Sequence, residues 1–300
     1  MDKKIPVILD TDIGVDVDDI WALAMMLNCP QLDIKLVVTD TGDTLYAAKI
    51  VAKLLEIAGR TDIPVGIGIP LDTTPEPHGP WIEDYHLDKY PGKVIADGVG
   101  AIVDTIMQSD EQISLVCIGP LVNIAAALQR EPKITSNSRF IGMHGSIYKG
   151  YPGTDQPSPE YNVFKYRKSA EKVFTTPWDI TITPLDTCGM VYLKGAKFQK
   201  VCGSENALTK AVIENHHLWM EDLGAKLYKG VNGKIQSSLL FDTVAVYLAF
   251  SEELLAIETL KIKIDESGKT VIADDGQSIR CATHWHSLEK FEDFLVNCYM

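Results

Sequence analysis

The sequence predicts an α/β protein that binds its ligand at strand ends, and three observations carry that expectation. A short apolar strand, Val7-Ile8-Leu9, runs into an acidic turn and then into a helix. The same succession of strand, polar turn and helix recurs along the chain. With 46% apolar residues, 300 residues are enough to bury one large core, expected as a single domain over residues 1–300.

The first turn is the most informative stretch. Asp10, Asp12, Asp16, Asp18 and Asp19 fall within ten positions, with Gly14 permitting a sharp turn and Ile20 to Leu27 reading as a helix. Carboxylates cap helix N-termini and suit the positive dipole end, but one or two suffice for that. Asp10, Asp12 and Asp16 lie upstream, and five carboxylates this close repel unless a cation or protons intervene. Ca²⁺ is favoured over Mg²⁺ because it accepts more oxygen ligands in looser geometry. In open α/β sheets this end of the strands is also where ligands bind.

A net charge of −13 argues against a nucleic-acid backbone or an anionic membrane as partner and suits a neutral or cationic small molecule. The early residues show no basic segment followed by an apolar run and a cleavage site, and no apolar run approaches eighteen residues, so a soluble, cytoplasmic protein is expected. The six cysteines are scattered singly and read as reduced, mostly buried thiols.

Further along, Asp33 to Val38 reads as a second strand ending in the polar group Thr39-Asp40-Thr41-Gly42-Asp43. A helix with its apolar stripe on Ala47, Ile50, Val51, Leu54, Leu55 and Ala58 follows, stopped by Gly59. Ile63 to Ile67 is a third strand. The turn-rich segment from Pro70 to Gly92 holds His78, Trp81, Tyr85 and His86, which either cover a flat ligand or anchor the loop. Ala96 to Met107 reads as helix, and Ile113 to Ile118, Arg139 to Met143 and Ile180 to Thr183 as strands. The segment from Asn206 to Tyr228 is largely helical. Asp242 stands inside the apolar run Leu239 to Val246, where an ionised side chain is costly unless paired or bound to a metal. Probable strands with turns at Gly268 and Gly276, then a helix from Leu288 to Val296, close the chain.

Five pieces occur in a telling order: Asp10-Thr11-Asp12 with Gly14 and Asp18-Asp19, Gly119-Pro120-Leu121-Val122-Asn123, Met143-His144-Gly145, Glu160-Tyr161-Asn162, and Phe241-Asp242. Together they resemble the inosine–uridine-preferring nucleoside hydrolase family, over about Val7 to Ala245. The resemblance implies a Rossmann-like, mostly parallel central sheet flanked by helices, Ca²⁺-dependent N-ribohydrolase activity on a nucleoside, and a homodimer or homotetramer. It implies Asp12, Asp19, the backbone carbonyl of Ile118 and Asp242 as calcium ligands. Asp12 would be the base that activates a calcium-bound water, and Asp10 would orient Asp12 from behind. Asp18, Asp43, Met143, Glu160, Asn162 and Phe241 would line the substrate. That chemistry suits these residue types, since cleaving an N-glycosidic bond builds positive charge on the ribosyl ring.

The departures from the family pattern are specific. The spacer between Gly14 and Asp18 is longer than the common short form, and Asp43 stands where an asparagine is usual. No asparagine occupies the loop from Gly150 to Pro159. Phe241 replaces a histidine that serves many members as general acid toward a purine, leaving His78, His217 and Tyr228 as open alternatives for a donor. Two other readings remain at this point. One is a Mg²⁺-dependent aspartate-nucleophile phosphatase, which also places Asp-x-Asp after an apolar strand; the other is a nucleoside-binding family member without turnover.

Overall fold

The apolar run at Val7–Leu9 becomes β1 (Ile5–Thr11), a strand buried on both faces. Such strands carry continuous apolar runs because helices cover both faces of a parallel sheet. Val7 and Leu9 join one core and Ile8 the other, on opposite sides of the strand. In the computed structural model, which describes residues 3–152, 154–227 and 232–300, nine further strands join β1 in one sheet. They are β2 (Leu32–Thr39), β3 (Val65–Ile67), β4 (Val94–Ile95), β5 (Ile113–Cys117), β6 (Ser138–Met143), β7 (Ile180–Thr183), β8 (Leu255–Ile264), β9 (Thr270–Ile272) and β10 (Gln277–Trp285).

The order across the sheet is β4-β3-β2-β1-β5-β6-β7-β10-β8-β9. Neighbours are parallel from β4 through β10, and β8 and β9 add antiparallel pairs at one edge. After β1 the chain builds outward through β2, β3 and β4, then returns to place β5 on the other side of β1. Crossovers leave β1 and β5 in opposite directions, which makes the carboxyl ends of these strands the switch point where open α/β sheets form a binding crevice. The clustered aspartates stand there.

Helix Asp18–Asn28 follows the acidic turn and is buried from Asp18 to Met26. Trp21 on this helix meets Tyr299 edge-on at 4.9 Å, and the Tyr299 hydroxyl donates to the Trp21 carbonyl at 2.8 Å. The chain's last turn thereby braces the helix that carries Asp18 and Asp19.

Most expected elements lie within a residue or two of their predicted bounds. Helix Thr44–Ile57 gives way at Gly59, which adopts a φ of +66°. Helix Gly98–Met107 starts two residues later than its pattern suggested, because Asp97 caps it by accepting from Gly100 N at 3.0 Å. The Pro70 to Gly92 segment is anchored from within: His78 N donates to the Tyr46 hydroxyl at 3.0 Å, and Trp81 Nε1 donates to Glu214 Oε2 at 3.0 Å. Trp81 is buried and His86 exposed, so the aromatics hold the loop down. All six cysteines are free, four of them buried. Among the described residues no helix is long and apolar enough to cross a membrane.

Candidate active site

Three elements deliver carboxylates to the crevice. Helix 18–28 presents Asp18 and Asp19 from its first turn, and Asp242 stands at the head of helix Thr243–Leu248. One oxygen from each of Asp18, Asp19 and Asp242 lies within 4.8 Å of the others, and all three side chains are buried. The Thr11 hydroxyl donates to Asp19 Oδ1. Asp12, from the end of β1, stands close enough for its charge to raise the proton affinity of all three.

Burial is the largest cause of strain among these acids, and mutual repulsion adds to it. It holds Asp18, Asp19 and Asp242 well above the ordinary carboxylate range. Asp12 is pushed up to about 8 by burial and by the charges of Asp16, Glu160 and Asp10, against the pull of its own backbone hydrogen bond. Asp16, half-buried in the longer turn, accepts from Val17 N at 2.6 Å and rises to about 6.

A second layer supports the first. Asn123 Nδ2 donates to Asp10 Oδ1 at 2.8 Å and to the Thr39 carbonyl at 3.1 Å, while its Oδ1 accepts from Ile69 N at 2.9 Å. One amide thus ties Asp10 to the ends of β2 and β3. Asp10 is wholly buried, which pushes it up to about 7 against the lowering pull of Asn123 and of the neighbouring Asp40 carboxyl. Asp40, also wholly buried, lies beside Asp10 and the Thr41 hydroxyl, and neither of its oxygens has a well-formed hydrogen bond. Its carboxylate packs on Gly119, where a Cβ would stand 2.7 Å from Asp40 Oδ2 and 2.8 Å from Asp12 N. Only glycine fits there.

The remaining candidates divide into those brought to the crevice and those turned away. Glu160 accepts from Gly145 N at 2.9 Å, Asn162 N at 2.7 Å and Val163 N at 3.2 Å, capping helix Tyr161–Lys165; burial outweighs these bonds and pushes it up to about 7. Asn162 Nδ2 donates to the Ile118 carbonyl at 2.9 Å and to the Met143 carbonyl at 3.1 Å, joining the ends of β5 and β6. The Ile118 oxygen retains a second lone pair. Met143 is buried with its Sδ 3.4 Å from the same amide nitrogen. Phe241 is buried and meets the Tyr151 ring edge-on at 6.3 Å.

Asp43 is exposed, and its Oδ1 caps helix 44–57 by accepting from Leu45 N and Tyr46 N. Of the three open donors, His78 is wholly buried against Asn215 (Nδ1 to Oδ1, 2.9 Å) and held neutral, lowered by burial to about 4. His217 is exposed, and Tyr228 lies outside the described residues. Asp40 and Asn123 were not among the sequence candidates. Asp40 was visible as an acid directly after an apolar strand, but only strand order places it beside Asp10.

An oxygen-binding cation fits this donor set. Two ligands on one Ca²⁺, each at 2.3–2.6 Å, stand at most about 5 Å apart, and the three converging oxygens meet that limit. Buried like charges of this density also need positive charge among them.

The profile of the inosine-uridine preferring nucleoside hydrolase family matches residues 7–293. The chain belongs to this family. Among its relatives, a probable uridine nucleosidase of Arabidopsis thaliana is 28% identical over 293 residues, covering 90% of this chain and 84% of the relative. A pyrimidine-specific ribonucleoside hydrolase of an Enterobacter species is 26% identical over 284 residues, covering 88% and 85%. Among solved structures, a plant nucleoside hydrolase superposes with a TM-score of 0.81 at 20% identity, covering 99% of both chains. The inosine-uridine preferring nucleoside hydrolase of Bacillus anthracis superposes with a TM-score of 0.73 at 19% identity, covering 98% of this chain and 99% of that one.

Membership in the nucleoside hydrolase family sets aside the phosphatase reading.

Proposed function

We propose that this nucleoside hydrolase family member is a Ca²⁺-dependent N-ribohydrolase, cleaving a ribonucleoside or related N-riboside to free base and ribose. The observation that carries the reading is the buried convergence of Asp18, Asp19 and Asp242 at the sheet's switch point, in a chain whose family match spans residues 7–293.

Asp12, Asp19, Asp242 and the Ile118 carbonyl would hold the cation, and Asp18, one of whose oxygens lies within 4.8 Å of oxygens from Asp19 and Asp242, takes a ribose hydroxyl. When bound, Ca²⁺ acts as a Lewis acid that eases deprotonation of water and as a template for the sugar diol. Asp12 takes the proton of the attacking water. Burial and neighbouring charge raise its proton affinity toward neutrality, which suits a base at physiological pH. Asp10 fixes the orientation of Asp12, and Asn123 fixes Asp10.

As water oxygen bonds to C1′, the C1′–N bond breaks and its electrons leave with the base. Positive charge then grows on the sugar ring, where the surrounding carboxylates stabilise it. Glu160, Asn162 and Met143 hold the sugar's other edge, and Phe241 packs against the base. Ribose release from uridine, cytidine, inosine and adenosine, measured with EDTA, after Ca²⁺ is restored, and in Asp12→Ala, tests the proposal. Release that stops on chelation, returns with Ca²⁺ and is lost in Asp12→Ala is expected. Release untouched by cation removal, or none from any riboside, overturns it.

A further inference from the structure

The two halves of an N-riboside need different surfaces. Ribose hydroxyls belong with carboxylates, which converge at Asp18, Asp19 and Asp242. A flat base needs an aromatic or apolar wall. An aromatic side chain directly precedes one of these acids, Phe241 before Asp242, and is met by Tyr151 with the two rings at 83°.

Tyr151 is only half-buried. Its hydroxyl oxygen accepts the Tyr161 backbone N–H at 2.9 Å, which orients the phenol through a lone pair. Its O–H proton has no acceptor among the described residues and is available to donate. Burial and the charge of Glu160 hold the phenol well above its ordinary range, so it remains a neutral donor.

We propose that Tyr151 is a catalytic residue that donates a hydrogen bond to the departing base, and that the protein therefore favours ribosides whose base carries a carbonyl oxygen beside the glycosidic nitrogen. Uracil and cytosine ribosides have that group. The proposal rests on the N-ribohydrolase reading and adds to it the group acting at the other end of the bond. When the C1′–N bond breaks, its electron pair passes to the base, and in a pyrimidine the charge spreads onto the flanking carbonyl oxygen. An O–H donor stabilises that oxygen without giving up its proton, and the released base takes a proton from water. A purine has no such oxygen and departs best when protonated on its imidazole ring, which a phenol of high proton affinity supplies poorly.

The test compares Tyr151→Phe with the wild type, both Ca²⁺-supplemented, on uridine and on 4-nitrophenyl β-D-ribofuranoside. Nitrophenolate leaves readily without a hydrogen bond yet still offers an aromatic ring to Phe241. Loss of one positioned donor costs on the order of 100-fold. The loss of kcat/KM on uridine should therefore exceed the loss on the nitrophenyl riboside by at least about tenfold. Wild-type kcat/KM on uridine should also exceed that on inosine. Equal losses on both substrates, or no loss on uridine, overturn the role of Tyr151, as does wild-type preference for inosine; in each case ribohydrolase activity itself still stands. If the wild type releases ribose from none of uridine, inosine and the nitrophenyl riboside, the enzymatic reading falls and Tyr151 falls with it.

Discussion

Removing the cation should make the protein's stability fall as pH rises from 7 to 8.5, and restoring Ca²⁺ should flatten that slope. Asp12 is pushed from an ordinary 3.8 up to about 8, with Asp18, Asp19, Asp40 and Asp242 also held high. A group whose proton affinity is raised by folding adds stability in full below its unfolded pKa. That stability is lost as pH climbs through the folded value. Buried His78, His144 and His216, lowered to about 4, 3 and 4, act oppositely, but only below about 6.5, where the unfolded chain binds their protons. Above pH 7 the carboxylates therefore act alone among these groups. Each proton held only by the folded state tilts stability by about 1.4 kcal/mol per pH unit. For 300 residues, at roughly 2.1 cal/mol/K each, the unfolding entropy is about 0.6 kcal/mol/K. The unfolding midpoint of chelated protein should thus drop by about 2 °C or more per pH unit. Thermal melts by circular dichroism, with EDTA and with millimolar Ca²⁺, read this directly. A chelated midpoint that stays level or rises across the window would refute the reasoning, as would an unchanged slope with Ca²⁺.

Two further outcomes follow from the layers around the site. Asn123→Ala strands Asp10 Oδ1, the Thr39 carbonyl and Ile69 N at once; at about 1–3 kcal/mol per unpaired buried group, denaturant melts should show a loss of about 3 kcal/mol or more, with weaker Ca²⁺ binding by calorimetry. Tyr299→Ala opens a cavity beside Trp21 and should cost about 3–5 kcal/mol, whereas Tyr299→Phe loses only the hydroxyl bond to Trp21 and should cost about 1 kcal/mol in the same melts.

The α/β class, the strands at Val7–Leu9, Asp33–Val38 and Arg139–Met143, and the cation-seeking aspartates were legible from local pattern, because strand and helix periodicity and charge density are properties of neighbouring residues. The order of the sheet was not, since β1 pairs on one side with the next strand, β2, and on the other with β5, whose partners lie more than a hundred residues away. Strand pairing likewise hid Asp40, which reads as one more polar residue after a strand until β2 lies beside β1. Asp43 and Glu160 look alike as isolated acids. One caps an exposed helix start, and the other caps a helix inside the crevice.

That acids gather where β1 meets helix 18–28 is written in the chain itself, because Asp10, Asp12, Asp16, Asp18 and Asp19 fall within ten positions across one strand-to-helix turn. Contacts between distant parts of the chain bring Asp242 to the triple, set Asn123 against Asp10 and put Tyr151 edge-on to Phe241. Those placements depend on which strand ends the sheet brings to one crevice. That is set by packing two cores against opposite faces, and no local stretch of chain encodes it.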